Sequence, residues 1–359
     1  MISTPLSQDV SGKLVRCARI ADLRALAWDG KILYASRGYQ VLRASIEDPR
    51  RALNWQEVGK FRPSWNRRIS VRSRLTARLF RDGFHALAVL SSGGIVAGAP
   101  GAILSLAPGE TEFRSTFRIT RGTRPLHIAA VPGGSVFWGE YFDNRSREEV
   151  HIYASTDGGR SWSVAYTFPK GAIRHIHNIV HDPWQQCLWV LTGDYGDECR
   201  ILRASCDLST VDLVLRGNQQ ARAVAAVPTE DGLYFASDTP LEQNFIYVLD
   251  RRGNLSRLVA ISGSSIYGCR VGNLLFFSTM AEPSEVNRER TVRVYGADTR
   301  APEEWHSPLS WRKDSWPMRF FQYGNAFLPD GGNLSSCLAV STIAVAADDM
   351  VTSIYSVDP

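Results

Sequence analysis

Seven stretches of this chain open alike, each with a small apolar run that ends in a turn. They are LRALAWDGK from Leu23, FHALAVLSSGG from Phe84, LHIAAVPGG from Leu126, IHNIVHDPWQQ from Ile176, ARAVAAVPTEDG from Ala221, SIYGCRVGN from Ser265 and QYGNAFLPDGG from Gln322. A strand rich in aromatics follows, as in KILYAS (31–36), SVFWGEYF (135–142), CLWVLTG (187–193) and NLLFFST (273–279). Helical spacing of apolar residues is scarce; short β-branched and aromatic blocks alternate with Gly, Pro, Asp and Asn turns. Four short strands recurring at about 40–60 residues are the signature of radial repetition. The fold class expected is all-β: a single β-propeller of seven four-stranded blades.

The last unit is short of a strand. FLPDGG, CLAVSTIAVA and MVTSIYSV supply three, and the N-terminal run KLVRCARI (13–20) is left over to supply the fourth. The ring is then closed by the two chain ends pairing in one blade, and residues 1–359 read as one propeller domain.

Composition narrows the function classes. The 359 residues are 44% hydrophobic and 21% charged, values of a folded protein that exclude wholesale disorder. A net charge of +5 falls short of what nucleic-acid binding requires, so no nucleic-acid partner is expected. One local excess stands out: Arg62, Arg67, Arg68, Arg72, Arg74, Arg78 and Arg81 fall in 62–81 with no acid among them. This insertion between the first two blades reads either as a patch for an anionic partner or as a solvated loop or short helix. Six cysteines without a CxxC pair read as buried free thiols, not a metal ribbon. No run approaches a membrane span, and the first residues lack a basic-then-apolar leader, so a cytoplasmic location is expected. Walker, G-x-S-x-G and Rossmann fingerprints are absent, and no cofactor or metal is assigned.

The sharpest motif is Ser155-Thr156-Asp157-Gly158-Gly159-Arg160-Ser161-Trp162, which fits S-x-D-x-G-x-[S/T]-W. Asp157 can accept N–H bonds across a turn, Gly159 supplies backbone freedom, and Trp162 starts the next strand beneath. A degenerate copy, RASIEDPRRALNWQEV (43–58), carries Ser45 and Trp55. On these residues and the blade pattern around them, the chain resembles the Asp-box (BNR repeat) sialidase-like propellers, a group that includes glycoside hydrolases. The resemblance implies that the box (Ser155, Asp157, Gly159, Trp162) is structural and lies between third and fourth strands, away from the active face. It also implies a carbohydrate as partner, an anionic one included. No Arg-Ile-Pro, the sialidase arginine motif, occurs here. Arg62-Pro63 and Arg124-Pro125 are not equivalent to it.

In propellers of this type the starts of the innermost strands and the loops joining second and third strands share the functional face. That nominates Arg124, His127, Arg174, Arg222, Asp238, Tyr195, Gln322 and Tyr323 as substrate-binding. Glu140, Asp194, His175, His177 and Tyr141 are nominated as catalytic. Gly139-Glu140-Tyr141 and Gly193-Asp194-Tyr195 occupy the same place in adjacent units, so Glu140 and Asp194 are expected to face one cleft, as glycosidic hydrolysis requires. His175 and His177 point the same way if on a strand, as acid/base or as two ligands lacking a third by spacing. Three functions stay open: a hydrolase using the carboxylate pair, a polysaccharide lyase using His or Tyr with Arg, and a non-catalytic glycan-binding or assembly scaffold.

Overall fold

The computed structural model describes residues 14–48 and 50–357. Lys13 of the proposed closing strand, and the first residues on which the leader was judged, lie outside them. Strand β1 (Leu14–Ala21) precedes the first blade, which holds β2 (Arg24–Gly30), β3 (Ile32–Arg37), β4 (Gln40–Ser45) and β5 (Gln56–Lys60). Two short helices follow, α1 (Trp65–Ser70) and α2 (Arg74–Phe80). Blade two is β6 (Ala86–Val89), β7 (Ile95–Ala99), β8 (Ala102–Leu106) and β9 (Arg114–Arg118). Blade three is β10 (Ala129–Ala130), β11 (Val136–Gly139), β12 (Val150–Ser155) and β13 (Ser163–Phe168). Blade four is β14 (Ile176–Asp182), β15 (Cys187–Thr192), β16 (Arg200–Ser205) and β17 (Val211–Arg216). Blade five is β18 (Ala223–Pro228), β19 (Gly232–Ser237), β20 (Asn244–Asp250) and β21 (Leu255–Ile261). Blade six is β22 (Ser265–Val271), β23 (Leu274–Thr279), β24 (Thr291–Asp298) and β25 (His306–Arg312). The chain ends with β26 (Asn325–Phe327), β27 (Asp330–Asn333), β28 (Cys337–Ile343) and β29 (Val351–Val357).

Each blade is an antiparallel sheet, and the whole is a seven-bladed propeller. Blade seven runs β26-β28-β29-β1, with Leu14 opposite Val357 and Ala21 opposite Val351. The two chain ends therefore close the ring, as the missing strand required. A second closure was not legible in the sequence. Instead of staying in blade seven, β27 crosses to the inner edge of blade one and pairs parallel with β2, Ala27 beside Asp330 and Gly30 beside Asn333.

There is no single central core. Apolar clusters lie between neighbouring blades: Leu87, Ile95 and Leu104 meet Tyr34 and Val41 between blades one and two. Ala339 and Ile354 meet Leu33 and Ala25 between blades seven and one. The second strand of each blade is covered on both faces, so β7, β15, β19 and β23 are buried along their length. Strands covered on both sides read as continuous apolar runs, which is why CLWVLT and LLFFST lack alternation.

Asp157 staples the turn between β12 and β13. Its Oδ1 accepts from Arg160 N at 2.9 Å and Ser161 N at 3.0 Å, and its Oδ2 accepts from Ser161 Oγ at 2.6 Å. Ser155 Oγ donates to Asp157 at 2.7 Å and accepts from Gly159 N at 2.8 Å. Trp162 packs edge-on against Trp138 and donates to Thr116 of blade two. These bonds hold the Asp157 carboxyl down at about 2 against the pull of partial burial. Blade four carries an unannounced relative of this turn: Ser205 Oγ donates to Asp207 at 2.6 Å, and Asp207 accepts from Ser209 N at 3.0 Å. It lacks the tryptophan and so escapes the motif.

The arginine-rich segment is short helix with most of its arginines exposed, and one of them is an anchor. It forms α1 and α2, and Arg78 is fully buried between Asp314 and Asp349. Arg78 also lies over the Trp316 ring, 4.3 Å from its centroid. Arg74 pairs with Asp349, Arg67 with Asp82 and Arg62 with Glu112. The insertion is thereby riveted across blade one to the loops of blades six and seven.

Two stability predictions follow from these contacts. Asp157→Ala should cost about 0.5–2 kcal/mol in urea unfolding, by removing the bonds its carboxylate accepts from Arg160 and Ser161 at an exposed turn. Arg78→Ala should cost about 2–4 kcal/mol, because it empties a fully buried site and leaves Asp314 and Asp349 with only Lys313 and Arg74 as cations, whereas exposed Arg68→Ala should stay within about 0.5 kcal/mol.

Candidate functional site

The innermost strands run down the ring axis, and their starts surround a cavity of about 990 Å³. Its wall includes Arg24, Arg81, His85, Arg124, Tyr141, Arg174, His175, His177, Asp194, Arg222, Asp238, Tyr267, Glu282, Gln322 and Tyr323. Ten of the thirteen residues nominated from sequence line it. Three do not.

Glu140 is the first. Its carboxylate is gripped by Arg121, which donates Nε to Oε1 at 2.9 Å and a second nitrogen to Oε2. It also accepts His151 N at 2.9 Å, so it is folded back onto β12 and does not face the cavity. The expected Glu140–Asp194 pair across one cleft is therefore not formed. The cause lies in the preceding glycines. Gly193 sits at φ +113 and turns the chain after β15, sending Asp194 inward. Gly139 ends β11 in ordinary extended backbone, and the chain reaches the cavity only at Tyr141.

His127 is the second. It lies two residues before β10 and belongs to a separate cavity, where its Nδ1 lies 2.9 Å from Asp330. Tyr195 is the third, 46% exposed on the outer rim with the Arg222 guanidinium 5.9 Å from its ring centre. Outside the nominated set, Trp316 also turns away from the cavity to pack under Arg78.

The cavity has two electrostatic halves. On one side Arg24, Arg81 and Arg124 come together from blade one, the helical insertion and the loop before blade three. Arg24 lies 3.8 Å over the Phe327 ring and donates to His85 O at 3.2 Å. Arg124 has no ion-pair partner among the described residues. Burial, then the charges of Arg24 and Arg81, lower its pKa to about 10. Burial and the same cations push His85 well below its usual value and keep it neutral.

On the other side stand Asp194, Asp238 and Glu282 with Arg174 and Arg222. Arg174 reaches Asp194 Oδ2 at 2.9 Å and also pairs with Asp143. One Arg222 nitrogen lies 3.3 Å from Asp194 Oδ1 and 3.6 Å from Asp238 Oδ2. Burial raises Asp238 to about 7 despite Arg222, and burial also raises Glu282. Tyr141 is raised to about 12, by burial first and then by Asp238 and Asp194, so its phenol stays protonated.

The histidines converge more closely than alternation on a strand would place them. The β14–β15 register slips between Ile176 and Asn178, so His177 occupies a β-bulge. Bulges re-aim side chains, and here the two Nε2 atoms end 3.1 Å apart. Asp194 Oδ1 is 3.5 Å from the His175 nitrogen and 3.4 Å from the His177 nitrogen. These three buried groups form a compact cluster with the donor set of a metal site. Asp194 is the third member that residue spacing did not reveal. Its pKa lies well below the carboxylate range: burial would raise it, but positive charge held between it and the His175 and His177 rings outweighs that.

Arg24, Arg81 and His85 were not recognised as cavity residues from sequence. A signal was present for two of them: Arg24, His85 and Arg222 each precede an Ala-x-Ala run, RALA, HALA and RAVA. Arg81 carries no such mark. It reaches the cavity because the insertion docks against the ring.

No protein-family model and no curated protein matches this chain. Among solved structures, the chain is similar to the WD40 β-propeller domain of Doa1, with a TM-score of 0.57 and 11% identity over 96% of both chains. It is also similar to a chain in a mitotic checkpoint complex, with a TM-score of 0.56 and 8% identity over 100% of this chain and 99% of that one. At such identities the likeness concerns fold alone. The protein is a β-propeller, and among the described residues no helix is long and apolar enough to cross a membrane.

Asp238 yields a stability prediction. Its folded-state pKa is raised to about 7, so the folded form holds a proton that the unfolded chain releases near 4. Stability from this group is therefore full at low pH and lost as pH rises toward 7. Relative to Asp238→Asn, the wild type should lose on the order of 2–4 kcal/mol between pH 5 and 8.5, read from urea midpoints.

Proposed function

We propose that the cavity binds an anionic saccharide, with Arg24, Arg81 and Arg124 receiving its acidic group. The observation that carries this reading is Arg124, a half-buried cation beside two others with no carboxylate paired to it among the described residues. A charge withdrawn from water without a partner is costly, and an incoming carboxylate, sulfate or phosphate relieves that cost. The remaining lining suits the hydroxyls of a sugar: Tyr141, Tyr323, Gln322, Asp238 and Glu282 offer both donors and acceptors. The Asp-box resemblance supports a carbohydrate over other anions.

A second reading, cleavage of that ligand, is favoured by one observation. Asp238 holds a proton near neutral pH within the cavity, the state needed to protonate a leaving oxygen. Asp238 and Asp194 both approach the same Arg222 nitrogen, at 3.6 and 3.3 Å, so two carboxyl groups face one part of the cavity, as glycosidic cleavage requires. Asp238 thus takes the place in this reading that Glu140 held. Tyr141, with its pKa raised to about 12, serves in this reading as a hydrogen-bond donor.

The test is calorimetric titration with uronate oligosaccharides and their neutral counterparts. Uronates should bind and neutral oligomers should not, with affinity falling as salt rises. Arg124→Ala should weaken uronate binding about 10- to 100-fold, the worth of a charge-assisted pair. Equal binding of neutral and acidic oligomers would remove the arginine cluster from the account. Product release that survives Asp238→Asn unchanged would remove the cleavage reading.

A further inference from the structure

We infer that His175, His177 and Asp194 bind a divalent transition-metal ion, of which zinc is the reference case, with an open coordination position facing the cavity. This does not rest on the saccharide reading, because the ion is tested alone.

The tautomers come first. His175 Nδ1 lies 3.0 Å from the Phe142 carbonyl, and His177 Nδ1 lies 2.9 Å from the Ala223 carbonyl. A carbonyl oxygen only accepts, so both Nδ1 atoms carry the proton. In the neutral rings both Nε2 atoms then present bare lone pairs. Those lone pairs face each other at 3.1 Å, with a carboxylate oxygen 3.4 and 3.5 Å away. Three acceptors packed this closely repel unless a positive centre sits among them.

That centre is either an extra proton or a metal ion. A proton makes one short bond along one edge of the triangle, and the atom it leaves out must look outside the triangle, as Asp194 Oδ1 does to Arg222 at 3.3 Å. A metal engages all three at once. A tetrahedral ion with bonds of about 2.0–2.1 Å holds its ligand atoms about 3.3–3.4 Å apart, and the edges here are 3.1, 3.4 and 3.5 Å. Two imidazoles and one carboxylate, each with an outer hydrogen-bond partner, make a complete donor set for such an ion. The outer partners are the two carbonyls for the histidines and Arg174 on Asp194 Oδ2 at 2.9 Å.

The surroundings admit the ion. All three ligands are buried in the wall yet belong to the cavity lining, so an entry path exists. Of the nearby cations, Arg174 is shared with the Asp143 carboxylate, and Arg222 is shared between Asp194 and the Asp238 carboxyl. Three protein ligands leave a fourth position for water or for a ligand oxygen.

The test uses full-length protein stripped with a chelator and titrated with zinc in metal-free buffer. One equivalent should bind, and zinc should raise the Tm in a way that chelator reverses. Cobalt in place of zinc should show tetrahedral d–d absorption with no thiolate charge-transfer band, since no cysteine is in the triad. His175→Ala and Asp194→Asn should each lose the stoichiometric ion, while His127→Ala and His181→Ala should keep it. Because buried variants can misfold, the wild-type cobalt spectrum and zinc-dependent Tm stand independently of them. Absence of a zinc equivalent in the wild type, a thiolate band, or loss of the ion in His127→Ala would overturn the site. A failure of saccharide binding would leave each of these readouts unchanged.

Discussion

The structure depends on blades burying their faces against one another. No blade has a core of its own: Phe277 and Leu275 of blade six are covered only when Ala225 and Tyr234 of blade five lie against them. A four-stranded sheet with two apolar faces is insoluble alone, so each blade requires both neighbours and the series must close. Closure is secured twice, by β1 on β29 and by β27 on β2. The helical insertion adds a third tie, from the first blade to the loops of the last two, through Arg78 and its two aspartates.

The same geometry explains why chemistry gathers at one end of the axis. Inner strands converge there, so side chains from seven distant stretches of sequence meet within one cavity. Arginines from blade one, the insertion and the third unit end up side by side, and carboxyls from blades four, five and six gather opposite. Register slips at the starts of β2, β14, β18 and β22 bend those strands at the rim. In blade four that bend aims His177 at His175 and Asp194.

Much of this was legible beforehand. Seven recurring openings defined seven blades, and a last unit with three strands demanded a fourth from the N-terminus. The Ser155–Trp162 motif placed a stapled turn between third and fourth strands, where it is found. Repeat position also placed Asp194, Arg222, Asp238 and Tyr323 on the cavity wall. It failed for Glu140, whose place in the repeat matches Asp194 but whose carboxylate meets Arg121, nineteen positions earlier in the chain. It failed for His127 by a single residue: Leu126 lines the first cavity and His127 the other.

The sequence by itself determined the architecture, because repeat period, turn residues and apolar runs are local properties that each blade displays in full. Only the tertiary structure decided the site. Whether a carboxylate faces the funnel depends on which arginine reaches it first, and whether two histidines converge depends on a bulge set by strand pairing. The lack of a carboxylate partner for Arg124 among the described residues is a relation between blades, and the closeness of Asp194 to both imidazoles is a relation between strands of one blade. No single strand encodes either, so they become visible only in the folded ring.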